Sequence, residues 1–145
     1  MPRIERHADV VWDGSVARGS GAINAGTGAF TGLGFSLPSR IGKDGGGKTS
    51  PEELVAAAHA GCFAMSLAGE LREAEPRLDV RASVVMNEVE GKGHVVVESQ
   101  LRVRARVNVD EATFRSAVVA ADEGCPISQL IRASAKVTID AELEG

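Results

Sequence analysis

Two stretches in the C-terminal half of the chain alternate between apolar and polar residues over most of their length. In residues 78–90 the apolar positions are Val80, Ala82, Val84 and Met86, and residues 95–109 repeat the pattern, with arginines between the apolar positions from Leu101 onwards. Such alternation is typical of strands with one buried and one solvated face. Gly91-Lys92-Gly93 separates the two stretches and predicts a turn. The pattern therefore predicts an antiparallel hairpin.

A long apolar run in the middle of the chain predicts a helix. Ser50 stands at its N-cap, Pro51 falls in the first turn, and Glu53, three residues after the serine, completes a capping box. Residues 54–73 are apolar on nearly every side, which is typical of a helix buried in a domain core or against a partner subunit. Pro76 ends the predicted helix.

Turn and cap signals predict shorter elements on both sides of this helix. On the N-terminal side we expect two strands in residues 7–24 around Asp13-Gly14, a short strand over 33–37 and a mobile loop over 42–48. On the C-terminal side we expect a helix from Asp110 to Glu123, a short helix from Cys125-Pro126 to Arg132, and a strand over 135–143.

The order of these elements predicts an α+β fold. Strands and helices are segregated along the chain, so we expect antiparallel sheets packed on a long, central, buried helix. A length of 145 residues predicts a single domain over residues 1–145, and 43% hydrophobic residues suffice for a core without disulfides or a structural metal.

The charge and the cysteine content narrow the expected class of function. A net charge of −4 argues against nucleic acid or an anionic membrane as the main partner. No segment reaches about 20 uninterrupted apolar residues, and the charged N-terminus lacks the apolar core of a signal peptide. We therefore expect a cytoplasmic protein, in which a disulfide is usually transient and catalytic.

Each of the two cysteines lies where a thiol can react. Cys125 follows a glycine and precedes a proline at the N-cap of the predicted short helix, where backbone N–H groups favour a thiolate. The alternative for it is a small buried hydrophobe. Cys62 lies about three turns into the long helix, where apolar surroundings disfavour the thiolate. A cation must therefore approach Cys62 if it is the nucleophile, and Arg18 and Arg40 are the candidates.

The long helix also carries two glutamates and a histidine with several possible roles. A carboxylate is needed to hold an activating guanidinium; Glu52 stays open for that role, whereas capping is the favoured role of Glu53. His59 lies three residues before Cys62 on the same helical face. It can be the base of a cysteine hydrolase, a metal ligand or a histidine hydrogen-bonded in the core. We favour the core histidine, with a supporting role second, because the three histidines lack metal-site spacing.

Two segments carry a resemblance to a known family. The segments SPEELVAAAHAGCFAM at 50–65 and GCPISQL at 124–130 resemble the signature segments of the OsmC/Ohr family, the osmotically inducible and organic hydroperoxide resistance proteins. Trp12-Asp-Gly and Arg18-Gly-Ser-Gly extend the resemblance towards the start of the chain. The histidine before Cys62 resembles the OsmC branch, since the Ohr branch tends to carry an aromatic residue there.

The resemblance implies a thiol-dependent peroxidase that reduces organic hydroperoxides and, more weakly, hydrogen peroxide, without a metal or cofactor. It implies that Cys62 is the peroxidatic cysteine and Cys125 the resolving cysteine. Arg18 and Glu52 match the pair that activates the peroxidatic thiol, and Arg40 matches a second arginine of the OsmC branch. An external thiol completes the cycle: a dihydrolipoyl group, a small thiol or a thioredoxin-like protein. The candidates for contacting the hydroperoxide are Arg40, His59 and Phe63; for Phe63, as for Met65 and Phe114, ordinary core packing is the favoured role.

Helix geometry adds a constraint on Glu52. Ten residues separate Glu52 from Cys62, and an unbroken helix of that length rises about 15 Å. A glutamate side chain cannot cover this distance, so Glu52 either lies on a broken helix or comes from a partner subunit. The apolar helix also favours a partner. We therefore expect an intertwined homodimer with active sites at or near its interface, as the family resemblance also implies.

Three other functions remain open from the sequence. A cysteine hydrolase or acyltransferase would use Cys62 and His59 and would not need Cys125. A binding module would use the helix only for dimerisation. A redox sensor would form the same disulfide but signal with it.

Overall fold

The computed structural model describes residues 2–43 and 45–144 and contains two compact units, Met1–Pro51 and Glu52–Gly145. The first unit holds a three-stranded antiparallel sheet, with strands β1 (Ala8–Asp13), β2 (Ser20–Ala25) and β3 (Leu33–Phe35) in that order. The predicted strand pair of residues 7–24 is confirmed. Its turn begins at Gly14, whose φ of 97° is accessible to glycine, but residues 14–19 form a longer connection than a two-residue hairpin.

A short helix in the first unit was absent from the predicted elements. Helix α1 spans Leu37–Ile41, and Ser36 caps it in a reciprocal capping box with Ser39. The predicted strand over 33–37 therefore stops at Phe35, because the Ser36 hydroxyl satisfies the first N–H groups of a helix instead. In the predicted 42–48 loop, Asp44 lies outside the described residues, and residues 42–43 and 45–48 form neither helix nor strand.

The second unit is organised around the long helix α2, Pro51–Leu71, which continues into a 3₁₀ turn over Arg72–Ala74. The helix begins directly after Ser50 and the chain leaves it before Pro76, as predicted. The elements that follow are β4 (Arg77–Val89), β5 (Gly93–Arg106), α3 (Glu111–Glu123), α4 (Pro126–Arg132) and β6 (Lys136–Glu144).

The second sheet has the strand order β4-β5-β6. Strands β4 and β5 form the predicted antiparallel hairpin, and Gly91 and Gly93 take positive φ values of 80° and 76° at its turn. Strand β6 pairs parallel to β5, so the expectation of wholly antiparallel sheets is wrong for this sheet. The physical reason is the connection: helices α3 and α4 form a crossover that returns the chain to the same end of the sheet.

The core of the second unit lies between the inward face of its sheet and the helices. Strand β5 contributes Leu101, Val103 and Ala105, all essentially inaccessible, while the arginines between them are exposed. Phe63 of α2 and Phe114 of α3 are also fully buried in this core. The alternation predicted for β5 is therefore confirmed, and it fixes which face of the sheet carries the helices.

Helix α2 is buried along one stripe rather than on all sides. Its buried residues, His59, Phe63, Leu67 and Leu71, follow a four-residue spacing and therefore share one face. Met65 is 80% exposed, so the expectation that it belongs to the core is wrong. Among the described residues, 51–74 form one helix long and apolar enough to cross a membrane, but a single such helix is weak evidence, and its buried stripe packs in the core.

Candidate active site

The two cysteine sulfur atoms lie 3.1 Å apart although 63 residues separate them in the chain. Cys62 lies in the middle of α2, and Cys125 lies at the N-terminus of α4. Both are free thiols. A disulfide bond requires the sulfurs to approach to about 2.05 Å, so only a small further movement joins them. The fold therefore brings together the two residues that the sequence singled out.

The first turn of α4 supplies contacts to both sulfur atoms. Cys125 is the N-cap in extended conformation, and its Sγ accepts a hydrogen bond from the backbone N–H of Ser128 at 3.4 Å. The backbone N–H of Ile127 donates to Cys62 Sγ. The predicted N-cap position of Cys125 is thus confirmed, and the same turn also reaches the cysteine of the neighbouring helix.

The two thiols differ in exposure. Cys125 is fully buried, whereas Cys62 is partly exposed. Burial raises the pKa of Cys62, the N–H of Ile127 opposes this rise, and the Cys125 thiol adds to it. The net direction is upward, so these contacts alone leave Cys62 as a protonated thiol at neutral pH. A reaction through the Cys62 thiolate needs additional positive charge.

His59 is fully buried and both of its ring nitrogens are occupied. Nδ1 lies 2.7 Å from Ser99 Oγ on β5, and Nε2 lies 2.8 Å from Ser128 Oγ on α4. Burial lowers the pKa of His59, with Asp122 opposing and Arg132 reinforcing this direction, so the ring is neutral near pH 7. Of the three possible roles of His59, the structure shows a histidine hydrogen-bonded in the core. His59 therefore has no ring nitrogen free to act as the base of a cysteine hydrolase.

The sequence analysis did not identify the two serines that hold His59. Ser99 occupies an inward-facing position on β5, in register with Leu101, Val103 and Ala105. A polar residue on the buried face of an alternating strand was the available signal. Ser128 is also fully buried, and the pattern of its short helix gave no comparable signal.

Glu52 is not brought to Cys62 along its own helix. Helix α2 is unbroken from Pro51 to Leu71, so the ten residues between them correspond to a rise of about 15 Å. The first alternative for Glu52, a broken helix, is thereby removed.

The remaining predicted site residues belong to three different segments of the chain. Arg18 lies in the β1–β2 connection of the first unit, and Arg40 lies in the last turn of α1. Both side chains are exposed. Phe63 follows Cys62 on α2 and is fully buried in the core of the second unit.

The neutral state of His59 predicts a pH dependence of stability. We expect the free energy of unfolding to fall as the pH drops below about 6.5, because the unfolded chain then binds a proton that folded His59 accepts only at lower pH. One proton gives a slope of at most about 1.4 kcal/mol per pH unit. Urea unfolding between about pH 7.5 and 5.5 measures it. His59→Asn should flatten the slope, whereas the exposed His94→Gln should retain it; equal slopes in both variants would contradict this assignment.

Comparison with known proteins places this fold and cysteine pair in one family. The family model described as OsmC-like protein matches residues 42–140. The chain belongs to the OsmC-like family. This match covers the whole of α2 and both cysteines, which are the parts of the chain that form the thiol pair.

Curated relatives of this OsmC-like chain carry peroxide-related names. It is 31% identical over 146 residues to the protein named peroxiredoxin OsmC from Escherichia coli strain K12, covering 98% of this chain and 99% of that one. It is 30% identical over 109 residues to an organic hydroperoxide resistance protein from Xanthomonas axonopodis pv. citri, covering 72% and 75%. These relatives support a peroxide-related function.

Solved structures of similar proteins share the fold. The organic hydroperoxide resistance protein of Elizabethkingia anophelis superposes with a TM-score of 0.78 at 20% identity, covering 99% of this chain and 100% of that one. OhrB of Bacillus subtilis superposes with a TM-score of 0.69 at 24% identity, covering 94% and 98%. The α+β fold with two small sheets and a long helix is therefore the OsmC-like fold.

Proposed function

We propose that this OsmC-like protein is a thiol-dependent peroxidase that reduces organic hydroperoxides and, more weakly, hydrogen peroxide. The 3.1 Å separation of Cys62 Sγ and Cys125 Sγ carries the proposal. A hydrolase or a binding module has no need for a second thiol in contact with the first. A peroxidase that resolves its own oxidised cysteine does need one.

The proposed cycle has three balanced steps. The Cys62 thiolate attacks one peroxide oxygen and the O–O bond breaks; with the proton that the thiol gave up on ionising, the products are the Cys62 sulfenic acid and an alcohol. Cys125 then attacks the Cys62 sulfur, so that a disulfide forms and water leaves. Two external thiols reduce the disulfide and become a disulfide themselves. In this scheme Cys62 is the peroxidatic residue and Cys125 the resolving residue.

Activation of Cys62 requires a cation, because burial holds its pKa above the usual value. We propose that Arg18 or Arg40 supplies the charge and that Glu52 orients the guanidinium. Since Glu52 lies about 15 Å along α2 from Cys62 of its own chain, this role requires the Glu52 of a second subunit. The proposal therefore includes a homodimer with each site completed by the other chain.

Substrate contacts are assigned by exposure. Arg40 is exposed and retains its proposed contact with the hydroperoxide. His59 and Phe63 are fully buried, so we assign them to the packing behind Cys62 rather than to direct contact. A dihydrolipoyl group, a small thiol or a thioredoxin-like protein is the proposed reductant, and the cytoplasm is the proposed compartment.

Stopped-flow kinetics test the proposed function. Wild-type protein should reduce an alkyl hydroperoxide faster than hydrogen peroxide, and Cys62→Ser should reduce both on the order of a hundredfold more slowly or worse, because the hydroxyl does not provide the nucleophile. Ser66→Ala, on the same helix, serves as the folded control. Equal, slow rates in wild type and Cys62→Ser would remove the peroxidase proposal.

A further inference from the structure

A chain of buried polar side chains crosses the core of the second unit behind the thiol pair. It runs from Ser99 on β5 through His59 on α2 to Ser128 on α4, with contacts of 2.7 and 2.8 Å. All three residues are fully buried. A buried polar group is costly unless it is hydrogen-bonded, so these contacts strongly favour one arrangement of the sheet, α2 and α4.

The α4 end of this chain is also part of the thiol site. Ser128 binds His59 through its hydroxyl and donates its backbone N–H to Cys125 Sγ. In the middle of this series of side chains, on α2, His59 lies three residues before Cys62, which is nearly one helical turn. The His59–Ser128 hydrogen bond and the Cys62–Cys125 contact therefore both connect α2 with the N-terminus of α4, about one turn of α2 apart.

We propose that His59 is a positioning residue for disulfide formation, an inference that rests on the proposed peroxidase function. His59 holds the first turn of α4 against α2 through Ser128, and this keeps Cys125 Sγ aimed at Cys62 Sγ. The step it serves is the attack of the Cys125 sulfur on the Cys62 sulfenic acid, in which the S–S bond forms, the S–O bond breaks and the oxygen leaves as water.

We expect His59 to affect the rate of disulfide formation through the position of Cys125, because this buried thiol has little conformational freedom. Cys125 is fully buried and is the N-cap of the seven-residue helix α4, whose first turn contacts α2 through Ile127 and Ser128. An intramolecular reaction of this kind depends steeply on the distance and alignment of the two reacting atoms. A rotation of the first turn of α4 would separate the sulfurs. It would also withdraw the Ile127 N–H from Cys62 Sγ, so the reaction of Cys62 with peroxide should slow too, but by less than disulfide formation.

Two variants break the connection from opposite sides. His59→Leu removes the ring nitrogens, and Ser128→Ala removes the hydroxyl while keeping the backbone N–H that contacts Cys125. Each should slow disulfide formation after a single peroxide pulse by about tenfold or more, while formation of the Cys62 sulfenic acid slows by clearly less, because that step loses only the Ile127 contact. Quenched-flow mass spectrometry separates the two steps. A triple variant that adds Ser99→Ala leaves none of the three linked side chains without its partner. It should still slow disulfide formation; a wild-type rate in it would show that the loss in the single variants comes only from an unsatisfied buried group and would overturn the inference.

Ser66→Ala provides the matched control. Its hydroxyl also ties α2 to a neighbouring element, but it donates to the Ala121 carbonyl of α3 at 2.7 Å rather than to α4. It should leave both steps within about twofold of wild type. Equal slowing of disulfide formation by Ser66→Ala, or equal slowing of both steps by His59→Leu and Ser128→Ala, would indicate general loosening of the fold and overturn the inference.

A peroxide-free measurement distinguishes this inference from the peroxidase proposal. Equilibration with reduced and oxidised glutathione gives the effective concentration of one cysteine relative to the other, and this value does not depend on any reaction with peroxide. His59→Leu and Ser128→Ala should lower it about tenfold or more relative to wild type and Ser66→Ala. An unchanged effective concentration would overturn the positioning role, whereas a lowered value with no peroxide reaction in wild type would overturn the peroxidase function alone.

Discussion

Two impaired variants, Cys62→Ser and Glu52→Gln, are expected to regain activity when their chains are combined in one dimer. In a mixed dimer, one site pairs Cys62 of the Glu52→Gln chain with the intact Glu52 of the Cys62→Ser chain. One of the two sites of each mixed dimer is competent, so mixed dimers isolated through both tags should show about half of the wild-type rate per dimer. Co-expression with two different affinity tags, followed by tandem purification and peroxide kinetics, measures the recovery.

The length of α2 is the reason for expecting recovery only between two chains. The helix is unbroken between Glu52 and Cys62, and its rise of about 15 Å rules out contact within one chain. A matched control combines Cys62→Ser with Cys125→Ser. These sulfurs lie 3.1 Å apart within a single chain, so neither site of that mixed dimer has both thiols and turnover should not return. Failure of the first pair to recover would contradict the shared site.

Replacing Cys125 with serine is expected to separate the first turnover from all later ones. Cys62 should still consume about one equivalent of hydroperoxide, because its own sulfur performs the first step. Steady-state turnover with a bulky reductant should then fall on the order of a hundredfold, since the neighbouring sulfur that forms the disulfide is gone. Excess peroxide should drive Cys62 to the sulfinic acid, which intact-mass spectrometry detects as a second added oxygen.

The Cys125→Ser variant also distinguishes a peroxidase from the cysteine hydrolase that the sequence left open. A hydrolase would keep its activity in Cys125→Ser, because it has no use for the second thiol. Cys62→Ser treated identically gives the baseline, with no oxygen added at position 62. Undiminished turnover of Cys125→Ser together with an unmodified Cys62 would contradict the resolving role.

Local signals predicted most of the elements of this fold. The cap at Ser50-Pro51 placed the start of α2 correctly, and the alternation around Leu101 identified the buried face of β5. Helix α1 was missed because its Ser36–Ser39 box lies in a stretch that otherwise favours an extended chain. The parallel pairing of β6 was missed for a different reason: its alternating pattern specifies a strand but not the direction of its neighbour.

The two cysteines of the candidate site were predictable from the sequence, whereas their contact and the two serines that hold His59 were not. The setting of Cys125 beside a proline indicated a helix N-cap, and the structure confirms it. The 3.1 Å contact with Cys62 depends on how the α3–α4 crossover packs, which no local pattern encodes. The apolar surroundings of Cys62 in the sequence predicted that its pKa is raised. The hydrogen bond from Ile127, which opposes this rise, forms only in the folded chain.

In the proposed disulfide, the complete burial of Cys125 would leave one sulfur inside the protein and the other at its surface. An incoming reductant would meet the sulfur of residue 62, since that end alone reaches the surface. The covalent intermediate with the reductant would then form there, and the sulfur that departs would return to the amide of Ser128, which already holds it before oxidation. An external thiol would then exchange with residue 62 alone, and the inner cysteine would stay shielded from it.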